Sequence, residues 1–216
     1  MASADGTLDV TVTVGQEEHV TVAFARLKVG NARYDEEEQS LTLPSAWQLG
    51  YLTSPGAGED FAVRLTIDPA DIVAWLTYGI GLKTENGYFS YGFSRRDNAY
   101  QNNTWLWGFV SPSKGDWSGS GLFAKCGRDL SALTKQLAEK ALDSLTLTFV
   151  YHSATHVLDA YINDVLVVNY ATGLTEDVTG IFLISTDGAT KYLDWGFGIA
   201  GDDAYSTILA GVGAPV

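Results

Sequence analysis

Cysteine is almost absent from this chain of 216 residues, which carries a single one, Cys126. A single cysteine excludes an internal disulfide and a cysteine-rich metal site, and it leaves the redox compartment undetermined. The sequence also has no stretch that approaches the roughly 20 apolar residues of a membrane-spanning helix. We therefore expect no insertion into a membrane.

Positive charge is scarce as well. Lysine and arginine together number 13 against 26 aspartates and glutamates, so the formal net charge is −13. The field of such a chain repels phosphate backbones and anionic lipid headgroups, and we expect no nucleic acid partner. A neutral polymer, a cationic partner or a metal ion is compatible with this charge, and solubility alone is the simpler explanation for it.

The composition otherwise indicates one β-rich domain. Hydrophobic residues make up 46% of the chain and charged residues only 18%. All-β units of about 200 to 250 residues commonly form single domains. We interpret residues 1–3 as a vector-derived leader on a module from a larger secreted protein, although an intact cytoplasmic protein would look the same. Residues 4–216 are predicted to form a single β-sandwich domain.

Apolar and polar residues alternate along most of the sequence, as they do in half-buried strands. Clear examples are 61–67, 145–151 and a hairpin over 157–170 that turns at Asn163-Asp164. One helix is predicted after Asp129, where leucines recur at helical spacing. The pattern predicts an all-β fold, an antiparallel two-sheet jelly-roll sandwich with one short amphipathic helix.

A hairpin between residues 72 and 98 has two distinct faces. Its turn is predicted at Asn86-Gly87, the strongest short-range hairpin signal, and this register pairs Leu82 with Tyr91 on the core face. The other face carries glycines and serines at positions 79, 81, 90, 92 and 94. Glycine within a strand often marks the close approach of a ligand or of another backbone. We interpret this face as the floor of a concave groove.

The last third of the chain resembles a known superfamily. The segments are LTLTFVY at 145–151, LDAYINDVLV at 158–167, GIFL at 180–183 and LDWGF at 193–197. They resemble the closing strands of concanavalin A-like (laminin-G-like) jelly rolls, with Asp164 in place of the usual turn glycine. The resemblance implies a two-sheet sandwich whose last strand supplies an edge, carbohydrate as the commonest ligand, and an extracellular or cell-surface location.

The aromatic residues near the hairpin suggest how a sugar would bind. A sugar ring stacks its apolar face on Trp or Tyr, while Asn, Asp and Arg take its hydroxyls by hydrogen bonds. Trp75, Arg96 and Asn98 share the small-residue face. The candidate carbohydrate-binding residues are Trp75, Arg96, Asp97, Asn98, Tyr100, Trp105, Trp107 and Trp117. Alternatively, Trp75 only covers a strand glycine, and Trp105 and Trp107 belong to the core.

Enzymatic chemistry has weaker support in the sequence, and we assign no catalytic residue. Strands that carry a glucanase acid pair typically read Glu-x-Asp-x-x-Glu, and no such pattern occurs. His152 and His156 flank a hairpin turn, where we expect exposed histidines rather than a catalytic base. A glycoside hydrolase or polysaccharide lyase whose carboxylates meet from distant strands is one alternative. A protein-binding or structural jelly roll, of an adhesion or viral surface kind, is another.

No cofactor is expected. The acidic run at 34–38 is interpreted as a solvated turn, because it lacks the spaced oxygen ligands of a calcium loop. A structural calcium ion is the alternative there. The oligomeric state is left open by the sequence.

Overall fold

The fold is that of a computed structural model. The residues that it describes are 9–14, 18–23, 33–35, 37–38, 40–43, 48–69, 77–85, 88–94, 106–111, 121–122, 142–185 and 190–212.

Within these ranges the chain forms sixteen strands and one helix, α1. Their bounds are β1 Asp9–Val14, β2 Glu18–Ala23, β3 Arg33–Asp35, β4 Ser40–Leu43, β5 Gln48–Thr53, β6 Phe61–Ile67, β7 Thr77–Lys83, β8 Tyr88–Ser94, β9 Leu106–Ser111, β10 Gly121–Leu122, β11 Leu145–His152, β12 Val157–Ile162, β13 Val165–Ala171, β14 Gly180–Ser185, β15 Thr190–Tyr192, β16 Asp194–Ile199 and α1 Asp203–Gly211. No helix in this part of the chain is long and apolar enough to cross a membrane.

Two large antiparallel sheets carry the fold. A six-stranded sheet has the order β10-β9-β8-β7-β14-β5, and a five-stranded sheet has the order β13-β12-β11-β6-β16. Smaller sheets are formed by β15-β4-β3 and by β1-β2. Every strand pair in the described ranges is antiparallel. The predicted all-β fold class is therefore confirmed.

The main core lies between the two large sheets. Alternate residues of β6 and β11, such as Val63 and Leu147, pack with residues of β7 and β14, such as Ile80 and Leu183. All four are 0% exposed. Since successive strand residues point to opposite faces, the period-two pattern in the sequence places these side chains in the same layer. Burying each one contributes about 1.5–3 kcal/mol to the free energy of unfolding.

The tight turn at Asn163-Asp164 agrees with the sequence prediction. Both residues have positive φ, 45° and 64°, as a type I′ turn requires. The Asn163 side chain accepts a hydrogen bond from the Thr146 backbone N–H at 3.0 Å. Asp164 forms an ion pair with Arg64, with Oδ1 and Nη1 3.2 Å apart. Asp at this position is therefore accommodated, and its carboxylate gains a partner.

Helix α1 lies on the outer face of the five-stranded sheet and was not predicted. Ile208 is its one buried residue, and it packs with Ala62, Val150 and Tyr161 of the sheet. A Cβ atom at Gly198 would come within 2.1 Å of the Tyr205 backbone nitrogen, so this glycine gives the helix room. The helix predicted after Asp129 lies outside the described residues.

Tyr192 connects the small sheet of β15 to the six-stranded sheet. Its hydroxyl donates to the Ile184 carbonyl at 2.6 Å and accepts from the Gly79 backbone N–H at 3.2 Å. The ring of Tyr192 packs edge-on against Tyr78, with centroids 5.8 Å apart. Burial raises the pKa of Tyr192, although these backbone hydrogen bonds lower it in part. The residue is 0% exposed, so its hydroxyl is held neutral inside the protein.

Replacing this tyrosine tests the connection. The Tyr192→Phe change keeps the ring but removes the partner of buried backbone groups, so the free energy of unfolding should fall by about 1–3 kcal/mol. Urea denaturation measures the change. Tyr205→Phe, which changes a half-buried tyrosine on α1, is the control and should lower the free energy of unfolding by a smaller amount. Equal stability of Tyr192→Phe and the wild type would contradict the role assigned to the hydroxyl.

Candidate functional site

The hairpin of β7 and β8 forms, but its register differs from the prediction by two residues. Leu82 pairs with Phe89 rather than Tyr91, and Gly79 pairs with Gly92. Four residues, 84–87, therefore separate the strands instead of a two-residue turn. Because a strand repeats every two residues, a shift by two residues does not change which residues share a face. Tyr78, Ile80, Leu82 and Tyr91 lie in the core as predicted, whereas the cross-strand partners were wrong.

The glycines of this hairpin are buried, which corrects the interpretation of an open floor. Gly79, Gly81 and Gly92 are all buried. A Cβ atom on Gly79 would come within 2.1 Å of the Tyr91 carbonyl oxygen and 2.5 Å of the Gly92 Cα. The close approach at Gly79 is therefore that of another backbone. At these three glycines the prediction of a solvent-exposed groove floor is wrong.

Of the candidate sugar-binding residues, only Trp107 falls in the described part of the chain. Its backbone lies in β9, where it pairs with Gly92. The other candidates lie outside the described residues: Trp75, Arg96, Asp97, Asn98, Tyr100, Trp105 and Trp117. Their proximity to one another is still a prediction.

A polar cluster that the sequence analysis missed lies where β11 turns into β12. We call Asp60, His152, Ser153, Asp159 and Asn169 the His152 cluster. His152 Nε2 lies 3.1 Å from Asp159 Oδ2, and Nδ1 lies 3.8 Å from Asp60 Oδ2. Asp60 Oδ1 also accepts from the backbone N–H of Ser153 at 2.7 Å. Asn169 donates to Asp159 Oδ1 at 2.5 Å.

The His152 cluster connects four parts of the chain: the loop before β6, the β11–β12 turn, β12 and β13. The carboxylates of Asp60 and Asp159 both interact with His152, which lies between them. Such an arrangement connects these segments at one end of the sheet. His152 is half-buried, in contrast to the exposed turn residue that was expected.

His156, at the other end of the same turn, is also half-buried and has a partner. Its Nδ1 lies 2.7 Å from the hydroxyl of Tyr151. Burial, followed by the negative charges of Asp177 and Asp60, raises the pKa of Tyr151 to about 12. The tyrosine is therefore neutral over the physiological pH range and is not poised to act as a base. The spacing of the two histidines across one hairpin was the only sequence signal for these contacts.

The acidic run before β4 forms the predicted turn. Asp35 Oδ1 accepts hydrogen bonds from the backbone N–H groups of Glu37 and Glu38, both at 3.0 Å. Glu38 forms an ion pair with Lys191. Among the residues that the structure describes, no group of three or more His, Cys, Asp or Glu side chains is arranged to hold a metal ion. A calcium site stays a prediction that these contacts do not support.

Comparison with known proteins gives no family for this chain. No protein-family model matches it, and no curated protein matches it. Among solved structures it is similar to the carbohydrate recognition domain of Emp46p, with 12% identity and a TM-score of 0.48 over 79% of this chain and 93% of that one.

Two other solved structures are similar over part of their length. A structure described as "Cell entry of botulinum neurotoxin type C is dependent upon interaction with two ganglioside molecules" has 13% identity and a TM-score of 0.46 over 94% of this chain. A bifunctional GH43-CE protein of Bacteroides eggerthii has 9% identity and a TM-score of 0.39 over 76% of this chain. The chain spans 51% of the former and 21% of the latter.

The close approach at Gly79 can be tested with one methyl group. In Gly79→Ala the new Cβ meets backbone atoms that cannot move independently, so the free energy of unfolding should fall by about 3 kcal/mol. Gly180→Ala is the matched control, because its Cβ would meet the ring edge of Phe182 at 3.1 Å. That ring can shift slightly, so we expect a smaller decrease in the free energy of unfolding, measured by thermal or urea denaturation. An equal decrease in the free energy of unfolding for both variants would contradict the close approach of backbone atoms to Gly79.

The raised pKa of Tyr151 predicts a loss of stability in alkali. An unfolded tyrosine ionises near pH 10, about two units below folded Tyr151, so the folded state keeps its proton longer. The stability from this difference is fully present below about pH 10 and is lost as the pH rises to about 12. Urea denaturation at several pH values should show a shallower alkaline decline for Tyr151→Phe than for the wild type. Parallel curves would exclude Tyr151 as a contributor.

Proposed function

We propose that this chain is a non-catalytic carbohydrate-binding domain of lectin-like type. The observation that carries the proposal is the arrangement of the strands between 145 and 199, the region that resembles concanavalin A-like jelly rolls. In the structure β11, β12 and β13 are neighbours in one sheet, β14 lies in the other sheet, and β16 forms an edge. The hairpin of β12 and β13 and the edge position of β16 are the features that the resemblance implies, and carbohydrate is the commonest ligand of that superfamily.

The proposed mechanism is stacking with hydroxyl recognition and no bond breaking. Trp75 supplies an aromatic face, and Arg96, Asp97 and Asn98 supply hydrogen bonds to sugar hydroxyls. Tyr100, Trp105, Trp107 and Trp117 complete the candidate site. A site of this kind binds with an affinity on the order of micromolar to millimolar, because solvated hydrogen bonds are partly offset by desolvation.

The ligand that fits best is a neutral polysaccharide. A net charge of −13 disfavours an anionic polymer, since each acidic group would be repelled by the field of the protein. Such a ligand is met outside cells, and we propose an extracellular or cell-surface location.

The Trp75→Ala variant tests the site. Loss of the stacking face should weaken binding to a retained polysaccharide by about tenfold or more, with the fold intact. Affinity electrophoresis measures binding, and thermal denaturation checks the fold. Val165→Ala, which trims an exposed apolar side chain on β13, is the control and should bind normally. Normal binding by Trp75→Ala would exclude this tryptophan from the site.

A further inference from the structure

Helix α1 depends on the sheet beneath it for its stability. It has 9 residues, and isolated helices shorter than about 12–15 residues are marginal in water. Asp202, which precedes the helix, makes no side-chain hydrogen bond to the first turn, and the last turn has no basic residue to interact with the helix dipole. The helix is therefore held by its contacts with the five-stranded sheet rather than by its own ends.

The apolar contact between the helix and the sheet is small. Ile208 is the one buried residue of the helix. It packs with Ala62, Val150 and Tyr161, one residue from each of β6, β11 and β12. Elements that bury little apolar surface open at a lower free energy than the core of the same protein. When the helix leaves the sheet, these three residues become exposed to solvent.

The connection between β16 and α1 provides a hinge. The Ala200 backbone N–H donates to the Asp60 carbonyl at 2.9 Å, so the chain is held to the sheet as far as this residue. Gly201 follows with a φ of 102°, which glycine adopts without strain. Because glycine also has access to many other backbone conformations, rotation at Gly201 can move the helix away while β16 stays in place.

Arg64 of β6 lies against the C-terminal end of the helix. A Cβ atom at Gly211 would come within 2.5 Å of Arg64 Nη1, and the same nitrogen lies 3.2 Å from Asp164 Oδ1. A positive charge at this end interacts favourably with the negative end of the helix dipole. Arg64 therefore supplies from the sheet the charge that the last turn of α1 lacks.

A buried hydroxyl on the covered face opposes closure of the helix. Thr148 lies between Arg64 and Tyr161 in the strand register, on the same face as Val150. Its hydroxyl has no hydrogen-bond partner in the described part of the chain, and the residue is 0% exposed. A buried polar group without a partner is costly, whereas water can satisfy it once the helix has opened.

We propose that α1 is a strap that opens as a unit at Gly201 while the sandwich stays folded. Arg64 stabilises the closed state, and the unsatisfied hydroxyl of Thr148 favours the open state. Opening exposes the apolar patch of Ala62, Val150 and Tyr161 on the outer face of the five-stranded sheet. This movement is separate from the proposed binding of carbohydrate.

Native-state hydrogen exchange of the full chain tests the opening. Exchange at low urea concentrations, followed by mass spectrometry, compares peptides from α1 with peptides from β11, the central strand of the same sheet. The α1 amides should exchange at least about tenfold faster and with a weaker dependence on urea, because local opening exposes less surface than global unfolding. Equal rates with an equal dependence on urea would overturn the strap, since α1 would then open only when the whole chain unfolds.

Three variants test the residues that set this equilibrium. Arg64→Met removes the guanidinium and should raise the exchange rate of α1 by about threefold. Asp164→Asn is the matched control, because it removes the ion pair but leaves Arg64 beneath the helix, and asparagine tolerates the positive φ of this turn. It should change the α1 rate less than Arg64→Met does. Thr148→Val removes the unsatisfied hydroxyl, so α1 should exchange about fivefold more slowly.

The two variants act in opposite directions, so a general loss of stability cannot produce both results. An unchanged α1 rate in Arg64→Met, or the same increase in Asp164→Asn, would overturn the role of Arg64. An unchanged or faster α1 rate in Thr148→Val would overturn the role of Thr148.

Discussion

The hydroxyl of Tyr192 is the point on which the packing of the sheets depends. It satisfies backbone groups of Gly79 in β7 and Ile184 in β14, so a residue of the small sheet fixes two neighbouring strands of the large one. The backbone of β8 approaches Gly79 at the same place, and only a glycine leaves room for it. A buried hydroxyl without a partner is costly, so these three strands and Tyr192 hold one another in a single arrangement.

The strands and their faces could be predicted from the sequence because alternation directly encodes burial. Residues 61–67 form β6 as predicted, and the hairpin around Asn163-Asp164 forms because both residues adopt positive φ. The register of the β7–β8 hairpin could not be predicted from Asn86-Gly87 alone. A shift by two residues keeps every face unchanged, so the hydrophobic pattern cannot distinguish the two registers. The pattern also does not indicate the break at Leu193, which separates β15 from β16.

Contacts between distant segments were beyond sequence reasoning. Ile208 is the one buried residue of helix α1, so the apolar pattern of this helix is weak. The need for glycine at position 198 can be recognised only from the fold, which brings the Tyr205 backbone close to it. The His152 cluster joins residues that are 93 positions apart, such as Asp60 and Ser153. Asp202 and Asp203 lie at the N-terminal end of α1, where acidic side chains are favoured by the helix dipole. For the candidate site, the residue types and the sheet face that they share could be predicted from the sequence. The burial of Gly79, Gly81 and Gly92 could be recognised only from the fold.

The outer face of the five-stranded sheet carries the internally bonded His152 cluster at one end, and helix α1 covers the apolar residues next to it. We propose that the chain binds carbohydrate without cleaving it. A polysaccharide and glycan array of the purified chain, measured at early and late times for retention and for release of reducing ends, tests that claim most directly. We predict retention of a neutral glycan with no release of reducing ends. Release would make the protein an enzyme, and the absence of retention on every glycan would contradict the claim and favour a protein partner.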